Sequence, residues 1–130
     1  MNPCPFCPPQ IKPHEIVLEN ELCIFLKSID PVLTAAGLIV PRRHAETVFD
    51  LSEIEWQAIY ELLQQVKALF DSKYQPDGFN VGWNVGRAGG QDVFHAHMHV
   101  IARFADEPLA GKGLRHWIKQ ENNRRMHGLS

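Results

Sequence analysis

From Phe94 to Arg103 the chain alternates without a slip: His95, His97, His99, Ile101 and Arg103 fall on one side, Phe94, Ala96, Met98, Val100 and Ala102 on the other. A period of two is that of a β-strand with one face against a core, and such a strand needs neighbours to pair with and a layer to cover its apolar side. The pattern predicts a strand over 94–103 with three imidazoles in a row on the outer face, roughly 6.5–7 Å apart. That row suits a ligand with several oxygens. Two chemistries use it: metal ligation by several imidazoles, or nucleophilic attack by one imidazole while its neighbours hold an oxyanion. A flat strand disfavours one ion on all three, because side chains at i and i+4 diverge too far to share it.

The partners for this strand are readable upstream. Residues 1–15 hold more than half of the nine prolines plus Cys4 and Cys7, and read as an extended arm. Ile16 to Leu26 carries two short apolar runs around Glu19-Asn20-Glu21 and reads as a hairpin. Leu38-Ile39-Val40 is a third strand, ended by Pro41. Ser52-Glu53-Ile54-Glu55 is a capping box, and Ile54, Ala58, Ile59, Leu62, Leu63, Val66, Leu69 and Phe70 keep helical spacing to Tyr74, with Pro76-Asp77-Gly78 as the stop. Phe79 to Val85 reads as a strand and Gly86 to Gly90 as a glycine loop, whose backbone amides can approach an anion closely. The tail from Ala105 to Ser130 is polar and arginine-rich, with a short helix around Leu114 to Asn122.

Bulk properties narrow the class. A chain of 130 residues, 45% apolar and 22% charged, fits one packed domain over 1–130, and at this size a subunit contact would add useful burial. A formal charge of −2 gives no basic field for nucleic acid, so a small ligand is the expected partner. No run is long and apolar enough to span a membrane, and the first residues lack the blocks of a signal peptide, so no membrane is expected and a cytoplasmic location is. Three cysteines cannot all pair, and a reducing compartment keeps them as thiols or metal ligands.

The segment Asn84-Val85-Gly86-Arg87-Ala88-Gly89-Gly90-Gln91-Asp92-Val93-Phe94-His95-Ala96-His97-Met98-His99-Val100-Ile101 resembles the signature of the histidine triad superfamily, His-φ-His-φ-His-φ-φ with φ apolar. Leu38-Ile39-Val40-Pro41-Arg42-Arg43-His44 is similar to that family's strand-Pro-basic-basic-His segment, and the likeness covers most of residues 4–104. It implies an α+β subunit with an antiparallel sheet of about five strands, one long helix and a short one, paired as a homodimer. It also implies hydrolysis or transfer at the α-phosphate of a dinucleoside polyphosphate or a nucleoside phosphoramidate. By position His97 would form a nucleotidyl-histidine intermediate and His99 would contact phosphate oxygens. Asn84 and Gln91 fall near the phosphates with Gly89 and Gly90 of the loop, and Phe6 falls where the family often sets an aromatic against the base. The chemistry agrees, since neutral imidazole is a competent nucleophile near pH 7 and needs no external base.

Cys4-Pro5-Phe6-Cys7 has the spacing that lets two thiolates share a tetrahedral ion, although a CxxC is also a redox pair in other settings. In the branch of the superfamily that carries it, the resemblance implies structural zinc on Cys4, Cys7, His44 and His95. Cys23, in an apolar run, reads as core, and His14, His116 and His127 as surface residues. Arg103, Arg115, Lys112 and Trp117 are placed to help close the pocket, while the three charges among them read first as a solvated face. The sequence departs from the family at Ala36, where many members have a fourth histidine, at Asp92, where Ser or Thr is usual, and at Ser28 near the ribose, with Asp30 close by. The alternative reading is a nucleotide sensor of the same fold with little turnover.

Overall fold

A computed structural model describes residues 3–28 and 30–126 of the chain, so His127 lies outside the described residues. Its centre is a five-stranded antiparallel sheet in the order β1-β2-β3-β5-β4, formed by β1 (Ile16–Glu19), β2 (Cys23–Lys27), β3 (Ala36–Pro41), β4 (Gly78–Trp83) and β5 (Met98–Arg103). The expected hairpin is β1 and β2. Its turn is held by Asn20, whose side-chain oxygen accepts from the amides of Leu22 and Cys23 while its nitrogen donates to the Ala58 carbonyl of the long helix.

That helix, α1 (Glu53–Tyr74), starts where the sequence places it, with Ser52 and Glu55 exchanging the two capping-box bonds, and it ends on Gln75 in the left-handed region at φ 50°. Ala58, Ile59, Leu62, Val66 and Phe70 form its buried stripe, packed with Cys23, Phe25, Ile39, Met98, Val100 and Ala102 of the sheet. Ile54 does not join them. It is exposed, and Glu55 takes the inward position instead, because the Arg43 guanidinium reaches back from the turn after β3 to pair both carboxylate oxygens.

The opposite face of the sheet is covered by the proline-rich arm. Phe6 and Ile11 pack on Ile24, Leu26 and Val40, so β2 is buried on both sides and its sequence is a continuous apolar run rather than an alternation. Gly37 of β3 is required by this packing: a Cβ there would meet the Leu26 carbonyl and the Phe25 ring at 2.4 and 2.5 Å.

Two boundaries differ from the sequence reading. β4 stops at Trp83 rather than Val85, and β5 starts at Met98 rather than Phe94. The ladder fails before Met98 because its polar groups are used elsewhere: the Ala96 amide donates to Ala45, and the rings of His95 and His97 take the carbonyls of Pro41 and His95. His95, Ala96, His97 and Met98 are therefore all buried, Phe94 turns outward beside Arg87, and the three imidazoles do not form a straight row. In the tail the helix is shorter than expected, α2 (Leu114–Ile118), followed by a single 3-10 turn at Glu121–Asn123. Among the described residues no helix is long and apolar enough to cross a membrane.

Candidate active site

Two groups of side chains meet at the start of β5. The first is Cys4, Cys7, His44 and His95, whose ligand atoms all lie within 4.8 Å of one another. The His95 ring is fully buried and its Nε2–H donates to the Pro41 carbonyl at 2.8 Å, which turns the Nδ1 lone pair toward Cys4 at 3.2 Å, His44 Nδ1 at 3.3 Å and Cys7 at 3.6 Å. A second nitrogen donating to a backbone carbonyl is the usual orientation of a ligating histidine. Two sulfurs and two ring nitrogens crowded this closely are the donor set of a closed tetrahedral zinc site, and the residues fit one. Cys23 stands apart in the core, its thiol donating to Asn20 and pushed by burial up to about 11.

The second group is His97, His99 and Asp92. His97 is 5% exposed, and its Nδ1–H donates to the His95 carbonyl at 2.9 Å. This bond fixes the tautomer, so the lone pair of the neutral ring is on Nε2, with Asp92 Oδ1 3.9 Å away as its one acidic neighbour within ion-pair range. His99 sits in β5 opposite Leu38 and Gly82, its ring 5.2 Å from that of His97. Its Nε2 is buried with no hydrogen-bond partner among the described residues. Such an atom is costly unless a ligand satisfies it. Burial first, and then the neighbouring His97, hold the His99 ring below the ordinary imidazole value, against a smaller pull from Asp92.

The glycine loop is placed beside these rings but is closed on itself. The amides of Gly89 and Gln91 donate to Gly86, and that of Gly90 donates to Arg87, so in this conformation side chains rather than these three amides meet an anion. Gly90 adopts φ +96° next to the Asn84 carboxamide, and Gly89 has the Val85 carbonyl where a Cβ would go. Gln91 is buried, and its amide is committed to three backbone groups: it accepts from Gly86 and donates to Glu46 and Val93. It braces the loop. Phe6 stands edge-on to His97 at 5.1 Å and to His95 at 6.1 Å, which ties the arm to both groups.

Beyond His99 a cavity of about 460 Å³ opens over β4 and β5, with Asn84, Trp83 and Ile101 on its floor and Leu109, Leu114 and Trp117 of the tail across it. Arg103 and Lys112 line it too, while Arg115 does not. Arg103 is less a solvated charge than a clamp: it pairs with Glu107 and donates to Asn80 and to the carbonyls of Leu109 and Lys112, folding the tail over the sheet. Leu109, Leu114 and Trp83 were not picked out by sequence reasoning, since the tail has no periodicity to mark them. Ala36, Ser28 and Asp30 lie instead around a separate hollow with Lys73 and Tyr74, away from the imidazoles. His14 is exposed, and His116 is half-buried against Trp117.

A family model described as the HIT domain matches residues 10–106. The purine nucleoside phosphoramidase of Escherichia coli K12 is 32% identical over 104 residues, which span 78% of this chain and 87% of that protein. The bis(5'-adenosyl)-triphosphatase of Dictyostelium discoideum is 31% identical over 98 residues, 75% of this chain and 66% of the relative. A crystal structure of a HIT family protein from Bacillus anthracis superposes with a TM-score of 0.71 at 28% identity, covering 79% of this chain and 72% of that one.

His95 is depressed in the same direction as His99, again first by burial. An unfolded chain takes up protons on these rings near pH 6.5 while the folded chain resists, so below about pH 6.5 the unfolded state binds more protons and stability falls as pH drops. The urea midpoint should therefore decline from about pH 7 to about pH 5.5, and His99→Asn should flatten part of that decline. An identical slope in the variant would contradict the burial of a neutral His99.

Proposed function

The chain belongs to the HIT domain family, and from that premise we propose that it cleaves a nucleoside phosphate at the α-phosphorus through a nucleotide held covalently on His97. The observation that carries this reading is the His97 Nδ1–H bond to the His95 carbonyl, which leaves Nε2 unprotonated in the neutral ring. In the first step Nε2 attacks phosphorus and the bond to the leaving group breaks, the electron pair going with the leaving group, which takes a proton from water. In the second, water attacks the same phosphorus, the P–N bond to His97 breaks, and nucleoside monophosphate departs. The unpartnered Nε2 of His99 meets a phosphate oxygen, Asn84 lines the same cavity and shares that task, and Gly89, Gly90 and Gln91 shape the loop around it. Phe6 flanks the nucleoside side.

Asp92 bears on the substrate class. A carboxylate 3.9 Å from the attacking nitrogen repels a polyanion, while Arg103 is paired with Glu107 and Arg87 lies over the Phe94 ring. A nucleoside phosphoramidate, with one phosphate, fits this field better than a dinucleoside polyphosphate. The same carboxylate favours the sensor reading if it slows attack altogether, and turnover decides between them.

Cys4, Cys7, His44 and His95 would hold zinc, whose chemistry here is structural: it neutralises the thiolates and ties the arm to the segment that carries His97. The homodimer and a cytoplasmic setting belong to the same reading. Trp56 stands exposed on α1 with its ring 5.8 Å from that of Trp83 in the edge strand β4, apolar surface that a second copy could cover, and none of the three cysteines is in a disulfide.

Chromatography of adenosine monophosphate released from an adenosine phosphoramidate and from a diadenosine polyphosphate tests the activity. The native protein should release it faster from the phosphoramidate, and His97→Ala should lose roughly 10⁴-fold or more. Asp92→Ser should narrow the gap between the substrates by about tenfold. Release that survives in His97→Ala would overturn the mechanism, and nucleotide binding without release would leave the sensor. Metal analysis should find one zinc per native chain and none after Cys4→Ser with Cys7→Ser; metal retained by that variant would place it elsewhere.

A further inference from the structure

A nucleotide held on His97 leaves that ring with both nitrogens committed: Nε2 carries phosphorus, and Nδ1–H still donates to the His95 carbonyl at 2.9 Å. The ring therefore cannot activate the water that has to release the nucleotide. Water that gives up a proton as it attacks is a far better nucleophile than water that keeps both. Some other group has to accept that proton.

The neighbours of His97 narrow the choice. His95 has spent Nε2–H on the Pro41 carbonyl and turns Nδ1 to Cys4, Cys7 and His44. His99 meets a phosphate oxygen through Nε2, which requires a proton on that atom and leaves it no lone pair. The Gln91 amide is divided among Gly86, Glu46 and Val93, and a carboxamide, there or on Asn84, is no base. Asp92 is left. Its Oδ1 is 3.9 Å from His97 Nε2, the one carboxylate within ion-pair range of that nitrogen among the described residues, and its charge is felt at the His99 ring too. The backbone beneath it is held by the buried Gln91 on one side and by the Val93 carbonyl on the other. His97 is 5% exposed and the Asp92 side chain 86%, so substrate and water reach Nε2 from the side on which the carboxylate stands.

Resting on the reading of His97 as nucleophile, we infer that Asp92 is the general base of the second step, the residue that turns a bound nucleotide into a released one. The water oxygen bonds to phosphorus and its proton passes to the Asp92 carboxylate. The P–N bond breaks with its electron pair returning to Nε2, and the ring is again neutral with Nδ1–H in place. Asp92 then loses the proton to solvent, which its exposure allows. One effect opposes this. A ring bonded at both nitrogens is a cation, and a carboxylate beside it prolongs the life of the adduct. For an exposed charge pair that effect is roughly fivefold at most, whereas a positioned base contributes roughly 10²–10⁴-fold, so base catalysis decides the sign.

Rapid mixing with adenosine phosphoramidate, an alkaline quench and intact-mass analysis separate formation of the adduct from its decay. Asp92→Asn keeps the shape and removes the base, and at so exposed a side chain the fold is retained. Formation should stay close to the native rate while decay slows about a hundredfold. Adduct then accumulates and kcat falls, with kcat/KM, which ends at the first irreversible step, hardly moved. Asp92→Ala should behave alike, and added formate, a small carboxylate that fits the vacated space, should speed decay of its adduct saturably without touching formation. A merely structural role would show no such rescue. Decay at or above the native rate in Asp92→Asn overturns the assignment and leaves His97 standing, because the adduct is still seen; slow decay in Asp92→Ala that formate does not relieve does the same. Absence of adduct from the native protein and both variants sinks the nucleophile reading, and the role of Asp92 with it.

Discussion

A fully buried imidazole has to find a partner for each ring nitrogen, and in His95 the partners come from the end of β3 on one side and from the arm and the turn after β3 on the other. Nε2–H is spent on the Pro41 carbonyl at the end of β3, so Nδ1 has to face Cys4, Cys7 and His44. The same residue's carbonyl accepts from His97 and sets that ring's tautomer. One side chain therefore decides where the arm is anchored, and its backbone decides which nitrogen of the next histidine is free. The candidate metal-binding group and the proposed nucleophile, two residues apart, are thereby coupled without sharing an atom.

The rest of the fold supplies the approach of the other members. His44 reaches the cluster from a turn locked to α1 by the pair between Arg43 and the buried Glu55, which is also the residue that closes the helix cap. Lowered below the usual carboxylate range chiefly by that guanidinium, Glu55 stays charged and the lock holds. At the other end Arg103 performs a similar task for the tail. Around the proposed nucleophile Asp92 is exposed and close, while Arg103 is paired with Glu107 and Arg87 lies over the Phe94 ring. On the proposed reading, that field favours substrates with a single phosphate.

Much of this was legible in the sequence where the signal is local. The capping box and the 3.6-residue period place α1, and the apolar run of β2 reflects cover on both faces. The ligand cluster was legible from CxxC spacing and family likeness, which placed four distant residues within reach of one another. The bend at His95 to His97 was not, because alternation looks the same whether the backbone pairs with a strand or its donors go to Pro41 and Ala45. Gln91 illustrates the same limit: its position beside the loop is readable, but its burial against Glu46 and Val93 is a tertiary fact. Leu109 and Leu114 of the cavity escaped for a further reason, since they keep no period and Leu109 is drawn over the sheet by Arg103.

The central claim is that His97 Nε2 bonds to phosphorus. Rapid mixing of the native protein with adenosine phosphoramidate, an alkaline quench that preserves a phosphorus–nitrogen bond, and mass analysis of the intact chain and its peptides address it directly. The account predicts a transient species heavier by one adenylyl group, mapped to the peptide containing His97 and decaying as adenosine monophosphate accumulates. Product accumulating with no adduct at any mixing time, or an adduct on another residue, would contradict it.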